Sequence, residues 1–286
     1  IMKNYQLINP FVSATTDAFS RLQPGFEAPT HTVASIGKDV LTPSRNRSVL
    51  LGLVRSTNNK YATRFELRSP NPHTNTYLCL SAIYQCMLDG INYAISSGKT
   101  RKQLEAEFTK PYGEKADYLE TNRLYRCEED IFESMNEEER DKLFGTPPAT
   151  VYDSLKGLLS YDSLCSILCA GDVFSDKILA SYSHAMLDMW QMELLERIIP
   201  TNLSLLRNIT KKHSKANTFD DNTWDEIESM RYALAKNTDE KFSIFGSIKL
   251  AIDSKNLSDI GKLQIRMNKN MAELTALYRD YSENQL

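Results

Sequence analysis

The chain has no apolar run long enough to span a bilayer, so no membrane helix is expected within it. It also lacks an excess of positive charge. Its 34 Lys and Arg stand against 37 Asp and Glu, a net charge of −3, which points away from nucleic acid and from anionic membranes. Histidine is scarce. The four (His31, His73, His184 and His213) show no zinc spacing, and His184 falls in a predicted helix where a packing role is expected. No Ser-His-Asp set can be argued. The five cysteines are an odd, scattered number. Cys165 and Cys169 in "LCSILC" share a helix face, but no third or fourth ligand is near, so they read as small buried apolar residues. Reduced thiols fit a cytoplasmic protein. One phosphate-loop lookalike, "SSGKT" (Ser96 to Thr100), is rejected. Tyr93 stands where the pattern needs glycine, and the preceding segment reads as helix rather than strand. There is no internal repeat and no low-complexity segment.

What is present is ordinary globular composition, 41% hydrophobic and 25% charged over 286 residues. The text begins in mid-pattern at Ile1, which suggests an excerpt of a longer protein and makes the missing signal peptide uninformative. Residues 1–77 are rich in Pro, Asn, Ser and Thr with short apolar runs such as "SVLLGLV", and read as strands and loops. From Tyr77 helical periodicity dominates. "YLCLSAIYQCMLDGINYAI" predicts a helix buried on several sides. Residues 98–127 predict a charged, solvated helical excursion broken at Pro111-Tyr112-Gly113. A helix is expected after Pro147-Pro148 with Leu155, Leu158 and Leu159 on one face. Another is expected from an N-cap at Ser175 to a stop at Pro200. In the last helix Ile260, Met267, Leu274 and Tyr281 recur every seven residues, a stripe suited to packing on the two helices before it.

The informative strand is "YATRFELRSP". Alternation puts Tyr61, Thr63, Phe65 and Leu67 on one face and Arg64, Glu66 and Arg68 on the other. Surface strands often carry alternating charges, so solvated display is the plain reading. Two arginines flanking a carboxylate also suit a site where an anionic substrate meets a metal ion. Guanidinium forks grip carboxylate and phosphate, and a carboxylate is a hard ligand for Mg²⁺ or Mn²⁺. Arg45 and Arg47 open another strand upstream. Glu27 lies in "RLQPGFEAPT", a segment shaped by Pro24-Gly25 and Pro29.

Taken in order, "INPFVSATTDAFSRLQPGFEAP", "RNRSVLLGLV" and "RFELRSPNPHTNTYLCLSAIYQCMLDGI" resemble the C-terminal part of glutamine synthetase catalytic domains. Five linked motifs in sequence (P-G-F-E-A-P, N-R-S, R-x-E-x-R, P-N-P-x-x-N-x-Y-L and L-D-G-I) are far more specific than any one of them. "GDVFSDKILASYSHAMLDMWQMELLERIIPTNLSLL" resembles the family's closing helices, so the likeness covers roughly Ile8 to Leu206 and leaves out the charged excursion and the tail after 210. The organisation expected is a partial catalytic domain over 1–97, a charged helical insertion over 98–127, catalytic-domain helices over 128–210, and a helical extension over 211–286. The fold class expected is α+β, with antiparallel strands cut from a larger sheet followed by helices.

The resemblance implies ATP-dependent ligation of ammonia to glutamate through a γ-glutamyl phosphate. It implies Glu27 as the flap glutamate and proton acceptor, and Arg47 against the transferred phosphoryl group. Arg21 and Arg68 would hold the substrate glutamate, Arg64 would lie by the nucleotide, and Glu66 would ligate Mg²⁺ or Mn²⁺. It also implies a cytoplasmic, ring-forming homo-oligomer. Three departures qualify this. Gly52 stands where an arginine is common. "IGKDVLTPS" lengthens the gap between Glu27 and Arg47. Phe132 stands where some bacterial members have a modifiable tyrosine, so adenylylation is not expected. Since Glu66 alone cannot supply six oxygen ligands, the chain by itself is expected to be inactive. The alternatives are a relative that ligates glutamate to another amine, and a non-catalytic oligomerisation or regulator-docking module.

Overall fold

A computed structural model describes residues 1–21, 34–35, 49–56, 58–160, 164–212 and 218–283. The chain divides into two compact units, Ile1–His184 and Ala185–Leu286. Among the described residues no helix is long and apolar enough to cross a membrane.

The first unit opens on a helix where strands and loops are expected. Helix α1 (Tyr5–Val12) contains Pro10 and buries Leu7, Ile8, Phe11 and Val12 almost completely. An interior proline costs about 3 kcal/mol. Full burial of one large apolar side chain returns about 1.5–3 kcal/mol, and four such residues outweigh the penalty. Phe11 packs on Tyr182 and Phe174 at ring-centroid distances of 4.8 and 5.4 Å, and the Tyr182 hydroxyl donates to the Pro10 carbonyl at 2.7 Å. Tertiary packing thus overrides the local signal.

Strands β1 (Ala34–Ser35), β2 (Leu51–Val54) and β3 (Arg64–Leu67) form a sheet in the order β1-β2-β3. The β2–β3 pair is antiparallel, with Gly52 opposite Glu66, and β1 joins β2 in parallel. The α+β class holds, while the sheet is mixed where only antiparallel pairing is expected. A 3₁₀ turn at Lys60–Ala62 takes Tyr61 out of the strand, and Phe65 is 56% exposed, so the apolar face does not pack as a core face.

Helices α2 (Thr76–Ser96), α3 (Arg101–Phe108), α4 (Ile131–Ser134), α5 (Glu137–Phe144), α6 (Val151–Leu159), α7 (Cys165–Cys169) and α8 (Asp176–Glu193) follow. α2 packs on α1 and α7 through one stripe, Cys79, Ala82, Gln85 and Cys86. It leaves Tyr77, Tyr84, Ile91 and Ile95 exposed, so it is not the many-sided core helix its composition suggests. Gln85 secures the contact. Its amide donates to the carbonyls of Ile167, Leu168 and Ala170 at the end of α7, where helix carbonyls otherwise lack partners. α3 is solvated as expected and most of residues 111–122 are exposed as well, but burial returns at the edges of that stretch. Lys110, Arg123 and Tyr125 are buried, and Lys110 Nζ donates to the Thr121 and Arg123 carbonyls. Val49, Ile131 and Phe144 then form a small core, flanked by Leu124, Phe132 and Leu143. Thr150 caps α6, which buries Leu155 and Leu158 but leaves Leu159 at the surface. The Ser175 hydroxyl accepts from the Ile178 N–H, so α8 starts where its cap predicts. His184 on α8 is exposed, against the packing role expected for it.

In the second unit the helical path does not stop at Pro200. A π turn at Leu194–Ile198 leads into α9 (Ile199–Asn208), where Pro200 sits in the first turn and its missing N–H costs nothing. Helices α10 (Thr218–Ala235), α11 (Ile244–Asp253) and α12 (Leu257–Glu283) then pack together. The seven-residue stripe of α12 is fully used: Ile260, Met267 and Leu274 are 0% exposed and Tyr281 is 2%. Trp190 Nε1–H donates to Gln264 Oε1 at 2.7 Å inside this unit.

Candidate functional site

The charged face of β3 is intact. Arg68 Nε lies 3.1 Å from Glu66 Oε1, and Arg64 Nη2 lies 3.6 Å from Glu66 Oε2. Alternation along the strand puts the three on one side, as their spacing predicts. Their settings differ. The Arg68 side chain is 17% exposed and the Arg64 side chain 58%. Arg68 is therefore the fixed cation of the set, while Arg64 also donates to the Ala62 carbonyl at 3.3 Å.

Gly52 explains how Arg68 is seated. It faces Glu66 across the ladder, and a Cβ placed on it would stand 3.0 Å from Arg68 Nη2 and 3.5 Å from Arg68 Cζ. The guanidinium rests on the bare backbone of β2. The residue that departs from the family pattern is thus the one that makes room for Arg68, a relation that sequence spacing alone does not disclose.

The motif after β3 does structural work. The Asn71 N–H and the Thr74 hydroxyl both donate to the Val12 carbonyl, at 2.8 and 3.0 Å, and Asn71 Nδ2 reaches Thr15 Oγ1 at 3.3 Å. Asn75 Oδ1 accepts from the Tyr77 and Leu78 N–H groups and caps α2. "PNPHTN" thus clamps the end of β3 between α1 and α2 and holds the Arg64–Glu66–Arg68 face in place. Asp89, in "LDGI", is a second hub. It accepts from Asn4 Nδ2 and from the Tyr118 hydroxyl, and pairs with Lys3 at 3.6 Å. Burial pushes its carboxyl upward, but the Tyr118 and Asn4 hydrogen bonds and the Lys3 charge outweigh that and leave it below the usual carboxylate value. The rejected "SSGKT" is the turn from α2 to α3. Gly98 has φ +64°, and Lys99 Nζ contacts Asp117, Glu107 and the Tyr93 hydroxyl at 2.7, 2.8 and 2.8 Å.

Of the residues named from sequence, Arg64, Glu66 and Arg68 are brought together. The Arg21 backbone closes the 3₁₀ turn Ala18–Arg21, and its side chain is outside the described set. Glu27 and Arg47 lie outside the described residues. Among the described residues no group of three His, Cys, Asp or Glu is placed to hold a metal ion.

Residues 1–124 match the family described as "Glutamine synthetase, catalytic domain". The N-terminal part of this chain is thus similar to a glutamine synthetase catalytic domain. Glutamine synthetases among the similar proteins include one from Vibrio alginolyticus, 28% identical over 182 residues, covering 64% of this chain and 30% of that protein. Another, from Streptomyces filamentosus, is 36% identical over 95 residues, covering 33% and 19%. The Escherichia coli (strain K12) enzyme is 35% identical over 99 residues, covering 35% and 19%. The chain therefore spans between about a fifth and a third of the length of these glutamine synthetases. The family match runs through residues 98–124, which the motifs alone leave outside the likeness.

Proposed function

We propose that this chain carries part of the substrate-binding apparatus of a ligase that joins ammonia to glutamate at the expense of ATP. The observation that supports the reading best is the Arg64–Glu66–Arg68 face, seated in a segment that matches the glutamine synthetase catalytic domain. In this reading the glutamate γ-carboxylate attacks the terminal phosphorus of ATP, giving γ-glutamyl phosphate and ADP. Ammonia then attacks the acyl carbon and phosphate leaves. Arg68, with Arg21, holds the amino acid by charge-assisted hydrogen bonds. Arg47 steadies the transferred phosphoryl charge and Arg64 lies by the nucleotide. Glu27 closes over the site, excludes water and takes the proton that ammonia releases.

Glu66 would be one carboxylate ligand of a divalent ion, Mg²⁺ or Mn²⁺. The described residues do not build a site for such an ion: Glu66 faces two arginines, and no further acidic ligands converge on it. The 286-residue chain alone is proposed to lack turnover. A ring-shaped homo-oligomer in the cytoplasm belongs to the same reading, as does glutamate as acceptor of the amine. The experiment is a γ-glutamyl transfer assay on the purified chain with ATP, glutamate, hydroxylamine and either ion. No product above background is expected, and sustained hydroxamate formation would refute the proposed incompleteness.

A further inference from the structure

We propose that the tail unit carries a separate site for a small phosphate ester bearing a planar ring, in the cavity between the α10–α11 turn and α12. The cavity measures about 470 Å³, within the range of small-molecule sites. Lys236, Lys241 and Arg266 line it, against one carboxylate, Glu240. None of the three cations lies within ion-pair distance of a carboxylate among the described residues. Lys262 and Lys269, by contrast, sit beside Asp259 and Glu273 on the same helix as Arg266. Two of these cations lie on the α10–α11 turn and the third on α12; lining one cavity they repel one another, and an anion bound there relieves that repulsion. Ammonium and guanidinium donors together suit the oxygens of a phosphate.

The ring is inferred from the aromatic wall. Tyr232 and Phe242 line the cavity at 49% and 53% exposure, and Lys236 Nζ already lies 4.4 Å from the Tyr232 ring centroid. A planar group laid on these faces would cover exposed aromatic surface while its phosphate meets the cations. The wall is built in advance. Asn237 Oδ1 accepts from the Ser243 N–H and hydroxyl at 2.9 and 2.7 Å, and the Thr238 N–H donates to the Lys241 carbonyl at 2.9 Å. The turn that presents Lys241 and Phe242 is therefore fixed without ligand.

The site lies outside the family match and does not depend on the ligase reading. The test is ¹H–¹⁵N spectroscopy of the full chain titrated with phenyl phosphate, and separately with its halves, inorganic phosphate and phenol. Saturable shifts are expected at 232–247 and 263–266 with phenyl phosphate, with much weaker response to either half. Arg266→Ala and Lys241→Ala should each weaken binding by about tenfold, as expected for loss of one charged hydrogen bond. No response at these residues would overturn the proposal, as would shifts that neither substitution affects. An equal response to inorganic phosphate would overturn the ring-bearing class.

Discussion

Gly52 and Asp89 show how single residues set this chain's architecture. At Gly52 only the movable end of Arg68 lies close, so Gly52→Ala is expected to change stability by less than about 1 kcal/mol, its lower chain entropy offsetting a small shift of the guanidinium. Gly52→Leu must drive Arg68 off Glu66 and is expected to cost about 1–3 kcal/mol in urea denaturation. Asp89 has a depressed carboxyl, so its contribution to stability is present above the unfolded value near 3.8 and is lost as pH falls through the lower folded value. Acid titration of stability should therefore show a limb below about pH 4 that is flatter in Asp89→Asn. A limb unchanged by that substitution would remove Asp89 as its source. Burial pushes the Cys86 thiol up to about 12, while Cys169 is partly exposed. Iodoacetamide should label Cys169 well before Cys86 in the native chain. The motif residues were legible from local order alone. The roles of Asp89 and Gly52 were not, because their partners are distant in sequence or across a ladder: Asn4 lies 85 residues from Asp89 and Tyr118 lies 29.

Among elements, legibility follows how local the deciding forces are. The α12 stripe was readable because a seven-residue repeat specifies one buried face whatever lies opposite. Leu274→Ala at its centre is expected to cost about 2–5 kcal/mol, and Lys269→Ala on the exposed side within about 0.5 kcal/mol, by thermal and chemical unfolding. Equal costs at both positions would contradict the packing described for α12. The β3 face was readable because alternation needs no knowledge of neighbours. α1 was not readable, since the aromatic cage that pays for Pro10 comes from Phe174 and Tyr182 far along the chain. Pro200 misled for a related reason. The π turn before it resets the helix, so the proline occupies a first turn rather than an interior. The composition of α2 suggested burial on several sides, yet composition does not say how many neighbours an element has, and α2 packs on α1 and α7.

At the scale of the molecule, the match to the glutamine synthetase catalytic domain ends at residue 124, while compact structure continues to the end of the first unit at His184. The second unit has its own core around Trp190, Gln264 and the α12 stripe. The proposed ligase site, with Arg68 and Glu66, lies in the first unit, and the proposed phosphate-ester cavity lies in the second. The β3 face is proposed to bind the substrate of an ammonia–glutamate ligase. The most direct measurement is the ATP-dependent synthesis of glutamine by the natural gene product that carries these residues, compared with its Arg68→Ala and Arg68→Lys variants. Loss of the proposed charge-assisted contact to glutamate predicts a fall in kcat/KM for glutamate of about a hundredfold in Arg68→Ala, with partial recovery in Arg68→Lys. Synthesis that proceeds unchanged in Arg68→Ala would contradict the claim.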